Sequence, residues 1–184
     1  MSKNIMKKLV TIVILWTGIS LTLLAQKGEN QINVGFDAGG VLNEYYQTQF
    51  PAGFGVSIKG LIGMPMQSQF SLSGNYLYFP LNSNYIFPSD ENLSLHQIPV
   101  IIGYRVYRES FFFEPQVGGA LLINSSKNQL GKTSSKNLQF AFAAEIGYVF
   151  NNLELSLKYQ QSGGSPYQLA LLGARVAYVI SSSY

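Results

Sequence analysis

The chain has no cysteine in its 184 residues. Disulfide bonds, a thiolate nucleophile, a thiolate metal site and a lipid-modified N-terminal cysteine are therefore excluded. Charge is also scarce. Asp, Glu, Lys and Arg make up 11% of residues, against about 25% in an ordinary soluble domain. There is a single histidine, His96, so a nitrogen-rich metal site has too few ligands, and no cofactor is expected. Helical periodicity is weak, and past residue 30 no apolar run is long enough for a membrane helix.

What the chain does have is aromatic residues, 14% of the total, and 18 glycines, in a length suited to one domain. Its start, with Lys3, Lys7 and Lys8 before an apolar run from Leu9 to Leu24, has the layout of a secretory signal peptide. The expected division is residues 1–25 as signal and 26–184 as the mature domain. Removing those three lysines from the 12 basic residues leaves nine against 9 acidic ones. The basic pI thus belongs to the targeting segment, and nucleic acid is not implied.

The mature chain alternates. Apolar residues fall at every second position in Ile32, Val34, Phe36, Ala38, and again in Phe70, Leu72, Gly74, Tyr76, Tyr78. The same period of two runs through six further segments, ending with Leu172, Ala174, Val176, Tyr178 and Ile180. Eight strands result, each about ten residues or longer, which suits tilted strands crossing a bilayer. Their connections alternate between short ("RES", "NN") and long ("GGVLNEYYQTQFPA", "PLNSNYIFPSDEN", "NSSKNQLGKTSSK"). The expected fold is all-β: an eight-stranded antiparallel up-and-down transmembrane β-barrel of the bacterial outer membrane, following an N-terminal signal peptide. Aromatic residues such as Tyr104, Phe111, Tyr148 and Tyr178 at one rim, and Phe54, Tyr76 and Tyr159 at the other, share the apolar parity and read as interfacial girdles.

With the apolar parity assigned to lipid, the opposite parity holds Asp37, Lys59, Arg105, Glu114, Glu145, Glu154, Lys158 and Arg175. These are expected to form a charge-neutral network in a lumen filled by side chains. Register can be read from the turns. Asn151 and Asn152 as a two-residue turn place Phe150 opposite Leu153, and therefore Glu145 opposite Lys158. Glu109 and Ser110 as a second such turn place Arg105 opposite Glu114. The expected ion pairs are those two.

At "SLHQIPVIIGYRVY" followed by "FFFEPQVGGALLI", the sequence resembles the small porin-like outer-membrane β-barrel domain proteins of Gram-negative bacteria. The features that carry the resemblance are Ile98, Pro99, Tyr104, Pro115, Gly118 and Gly119. It implies fold and location, and no catalytic residues come with it. Pro99 removes a ladder donor in mid-strand, so a bulge or local break is expected there.

Candidate chemistry is thin. Ser94 and His96 share a face two residues apart, which could support attack on a lipid ester, but no acid is placed to orient the histidine, and enzyme activity is not expected. "GKT" at Gly131 to Thr133 lacks the glycine a phosphate loop needs, since position 126 is Ser126. Aromatic residues on the long loops, Tyr45, Tyr46 and Phe50 in the first and Tyr85 and Phe87 in the second, are candidates for recognition and equally for anchors in the polar lipid layer. The expected protein is a monomer bathed in outer-membrane lipid, with a structural or binding role. Passage of small solutes is the alternative, ahead of a rim lipid hydrolase and of a soluble lipocalin-like barrel with its apolar face inside.

Overall fold

A computed structural model of the chain describes residues 30–64, 66–82, 92–128, 131–165 and 167–182. The segment expected to be a signal peptide, and Tyr85 and Phe87, lie outside the described residues. Eight strands follow in order: β1 (Asn30–Val41), β2 (Ala52–Met64), β3 (Ser68–Pro80), β4 (Asn92–Arg108), β5 (Phe111–Asn128), β6 (Gly131–Phe150), β7 (Leu153–Ser162) and β8 (Leu169–Ser182). One short helix, α1 (Glu44–Gln47), sits between β1 and β2. Each strand pairs antiparallel with its neighbour in sequence, and β8 returns to β1, so the sheet closes as an up-and-down barrel without a crossover.

Closure works because the period of two runs unbroken around the wall. Ile58, Leu72, Ile102, Ile146, Leu157 and Val176 all point outward and are exposed, while the alternate positions are buried. An exposed apolar exterior around a charged interior is the reverse of a soluble barrel. The short turns take the backbone the sequence called for: Glu109 and Asn151 adopt positive φ, as do Met66 and Gln67 in the β2–β3 turn.

Pro99 and Pro115 each interrupt one ladder. Across β3 and β4 the register runs through Gly74 with Val100 and resumes at Leu77 with Gln97, skipping the pairs at Pro99 without a slip. Across β4 and β5 it stops at Gly103 with Gln116 and resumes at Val106 with Phe113, on either side of Pro115. On their other sides Pro99 pairs with Ala120 and Pro115 with Ala144. A proline lacks only its own N–H, which points to one neighbour, so the break is local and no bulge forms.

The third long connection differs from expectation. Residues 124–136 were expected as a loop, yet the β5–β6 ladder continues through Asn124 with Ser135 as far as Asn128 with Gly131. β4 joins it through Leu93 with Ser126 and Asn92 with Lys127. The three strands thus project past the barrel rim as a small sheet. The polar composition conceals this, because backbone hydrogen bonds extend a ladder whether or not one face is apolar.

Candidate functional site

Six of the eight expected lumen charges meet in a closed ring of alternating sign. Lys59 Nζ reaches Glu114 Oε2 at 3.1 Å and Glu145 Oε2 at 2.7 Å. Arg105 donates from Nε to Glu114 Oε2 at 2.6 Å and from Nη1 to Glu154 Oε2 at 2.6 Å, with Nη2 on Glu154 Oε1 at 3.2 Å completing a fork. Arg175 Nη1 donates to Glu154 Oε1 and lies 3.7 Å from Glu145 Oε1, which returns the ring to Lys59. Three cations and three carboxylates, all buried, therefore cancel.

The ring is drawn from six strands, and the other two supply neutral donors. Asn33 of β1 donates to Glu154 at 2.8 Å, and Ser71 of β3 donates to Glu114 at 2.6 Å. Gln116 Nε2 bridges Glu114 Oε1 and Glu145 Oε2 at 2.7 and 2.8 Å, Ser156 donates to Glu145 at 2.7 Å, and Ser57 accepts from Arg175 Nε at 2.9 Å. These residues were missed in the sequence. Their one visible signal was a polar side chain at a position of lumen parity. Such density of partners is what buried charge requires, since an ion taken out of water costs several kcal/mol unless it is paired and its remaining lone pairs or protons are bonded.

One expected pair is made and one is not. Arg105 and Glu114 bond directly. Glu145 and Lys158 do face each other across β6 and β7, but among the described residues Lys158 takes part in none of the ion pairs. The physical reason lies in the neighbouring ladder. Glu145 also faces Glu114 on β5, and the two carboxylates turn to share Lys59. Lys158 instead lines a small cavity of about 20 Å³ with Asp37, Asn75 and Gln160. Asp37, the eighth expected charge, accepts from Asn75 Nδ2 at 3.4 Å.

An apolar plug closes the lumen toward the long connections, and a single aromatic ring lies over the ring of charges toward the short turns. Toward the long connections, Val41, Phe50, Leu77, Phe79, Leu95, Leu122 and Leu169 form a buried plug. Toward the short turns, the guanidinium of Arg105 stacks on the ring of Phe112, 3.7 Å from its centroid. Phe50 is a correction to the expected recognition surface: it is sealed in the plug, because α1 folds the first loop inward. Asn43 caps that helix by accepting from Tyr45 N at 2.8 Å, and Phe50 N bonds to Tyr46 O at 2.7 Å. Tyr46 packs against the plug, and burial raises its phenol pKa above the ordinary value. Tyr45 alone of these three is exposed, edge-on to Tyr167 at 5.0 Å.

At the outer face of the rim, His96 Nδ1 lies 2.7 Å from the Tyr76 hydroxyl and Nε2 lies 3.3 Å from Ser94 Oγ. Tyr78 packs on the same imidazole, ring centroids 5.2 Å apart. A hydroxyl occupies the place where a hydrolase would hold a carboxylate. Among the described residues, no group of His, Asp and Glu is arranged to hold a metal ion.

No family model and no curated protein matches the chain. Solved structures do. The crystal structure of Ail, the attachment invasion locus protein of Yersinia pestis, is similar with a TM-score of 0.61 at 12% identity, covering 84% of this chain and 100% of that one. The same protein in complex with the heparin analogue sucrose octasulfate gives 0.64 at 12% identity over the same shares. The N-terminal β-barrel domain of Pseudomonas aeruginosa OprF gives 0.53 at 14% identity, again over 84% and 100%. The fold shared with these proteins is the small outer-membrane barrel.

Proposed function

We propose that the chain is an integral β-barrel protein of the bacterial outer membrane, exported through a cleaved signal peptide, that acts as a monomeric structural or binding protein and not as an enzyme. The observation that carries the reading is the outward face. Around the whole circumference it is apolar, with Val34, Ile58, Leu72, Val100, Val117, Leu157 and Val176 exposed at mid-wall, and only a bilayer makes such a surface stable. The solved structures of like fold are outer-membrane proteins, which supports the same location.

The interior argues for binding over transport. A solute would have to break the charged ring and displace the plug of Phe79, Leu95 and Leu169, all fully buried. Outside the rim, by contrast, the β4–β5–β6 sheet offers a surface. From Gly131 to Gln139, β6 is paired with β5 on one side, and no strand of the described residues pairs with it on the other, since pairing with β7 begins at Ala141. An unpaired edge of this length can accept an extended segment of a partner as an added strand.

The test is electrophoretic migration of the membrane-extracted protein, unboiled against boiled. A shift on boiling supports a closed, detergent-resistant barrel. Recovery in the soluble periplasmic fraction with no shift overturns the reading.

A further inference from the structure

Two of the eight lumen charges stand outside the ring, Asp37 on β1 and Lys158 on β7, and both are buried. They line the same small cavity, which extends to Leu77 and Leu171 of the apolar plug. The room for it comes from β8. Gly173 has lumen parity and stands directly opposite Lys158 on one side and Gly39 on the other, so no side chain fills the wall there. A Cβ at Gly173 would lie 2.7 Å from the Ala38 carbonyl oxygen, too close for any residue but glycine.

Four polar groups of the lining residues lack a hydrogen-bond partner among the described residues. Asp37 Oδ2 and Asn75 Oδ1 are acceptors without a donor, and Gln160 Nε2 is a donor without an acceptor. The Lys158 ammonium makes neither an ion pair nor a hydrogen bond among the described residues. Asn75 spends its own Nδ2 on Asp37 Oδ1, which leaves its Oδ1 over. All four side chains are more than nine-tenths buried: Asp37 is 7% exposed, Asn75 6%, Lys158 8% and Gln160 2%. Polar groups so far from bulk solvent are normally bonded.

The set is complementary to one kind of ligand. Two acceptors need protons and two donors need lone pairs, and a water molecule offers two of each. A metal cation would be repelled by the Lys158 ammonium, and an anion by the Asp37 carboxylate. Size agrees with the chemistry. The cavity of about 20 Å³ exceeds the roughly 10 to 15 Å³ that one water requires and falls short of what two would need.

We infer that this cavity binds a single structural water, which accepts from Lys158 Nζ and Gln160 Nε2 and donates to Asp37 Oδ2 and Asn75 Oδ1. The eight lumen charges then cancel in two ways, six by contact in the ring and two across the water. A bridge of this kind is enthalpically close to a direct hydrogen bond. It lets Lys158 stay buried opposite Glu145 while that carboxylate is turned to Lys59.

The experiment is a crystal structure of the full protein at a resolution that resolves ordered water, with a second set of crystals soaked in bromide. One water within hydrogen-bonding distance of Lys158 Nζ, Asp37 Oδ2 and Gln160 Nε2 is expected, and no bromide signal. Direct contact of Lys158 with Asp37 or Glu145, a dry cavity, or bromide at the site overturns the inference. Urea midpoints of Asp37→Asn, Lys158→Met and the double variant, in one detergent, test the same link in solution. Since the water couples the two charges, the double variant is expected to unfold at a midpoint no lower than that of the less stable single variant. Losses that simply add would show the two charges to be independent and overturn it as well.

Discussion

Glu145 faces Lys158 on the neighbouring strand, yet its carboxylate is held by Lys59 from the opposite wall of the barrel, at 2.7 Å. β2 and β6 lie across the lumen from each other in the closed strand order, so this bond forms only when the barrel closes. The two lysines therefore make different demands on stability.

Lys59→Met removes two of the six ion pairs of the ring at once and leaves Glu114 and Glu145 facing each other. It should lower stability by about 3 to 5 kcal/mol. Lys158→Met breaks none of the six ion pairs and should cost markedly less. Urea midpoints of the two variants in the same detergent decide this, and equal midpoints would refute the ring as drawn.

Depth along the wall sets the cost of charge on the outside. Ile58 sits in mid-strand on β2 and is exposed, so Ile58→Arg should destabilise the barrel by about 2 to 4 kcal/mol. Leu138 lies at the foot of the projecting sheet, and Leu138→Arg should cost about 0 to 1 kcal/mol, as near an interface. Unfolding in lipid vesicles measures both. Similar costs at the two sites would contradict the proposed membrane position.

The projecting sheet should be dispensable for folding. Replacing residues 125–134 with Asn-Gly would join Asn124 to Ser135, which already face each other, through a favoured two-residue turn. Ring and plug lie below that level, so heat-dependent migration should persist. Its loss would show that the sheet is needed to build the barrel.

Ser94 and His96 are close enough to share a proton, but Tyr76 orients the imidazole with a neutral hydroxyl. The protein embedded in vesicles should release no fatty acid from phospholipid or lipid A. Release that disappears in a folded His96→Ala variant would make this rim site an ester hydrolase instead.

Much of this was legible in the chain. The strict period of two put Ile58 and Ile102 outside and Lys59 and Glu114 inside, and the turns at Glu109 and Asn151, with their positive φ, fixed register to the residue. The projecting sheet was hidden because Asn124 to Lys136 is polar on both faces, and an alternation argument has nothing to count where neither face is apolar. Phe50 was misread because aromatic character alone does not say whether a loop turns toward solvent or into the lumen.

The sequence by itself determined the local geometry: strands, facing, turns, and the pairing of neighbours along the chain, all set by interactions a few residues apart. Tertiary structure alone decided which charge holds which. In a closed barrel every interior side chain competes for partners from walls that never meet in sequence, and Lys59, long enough to cross, bridges two carboxylates that register had placed side by side. Lys158, adjacent to one of them, is left out of the ring because buried carboxylates are satisfied by whichever set of donors meets them all.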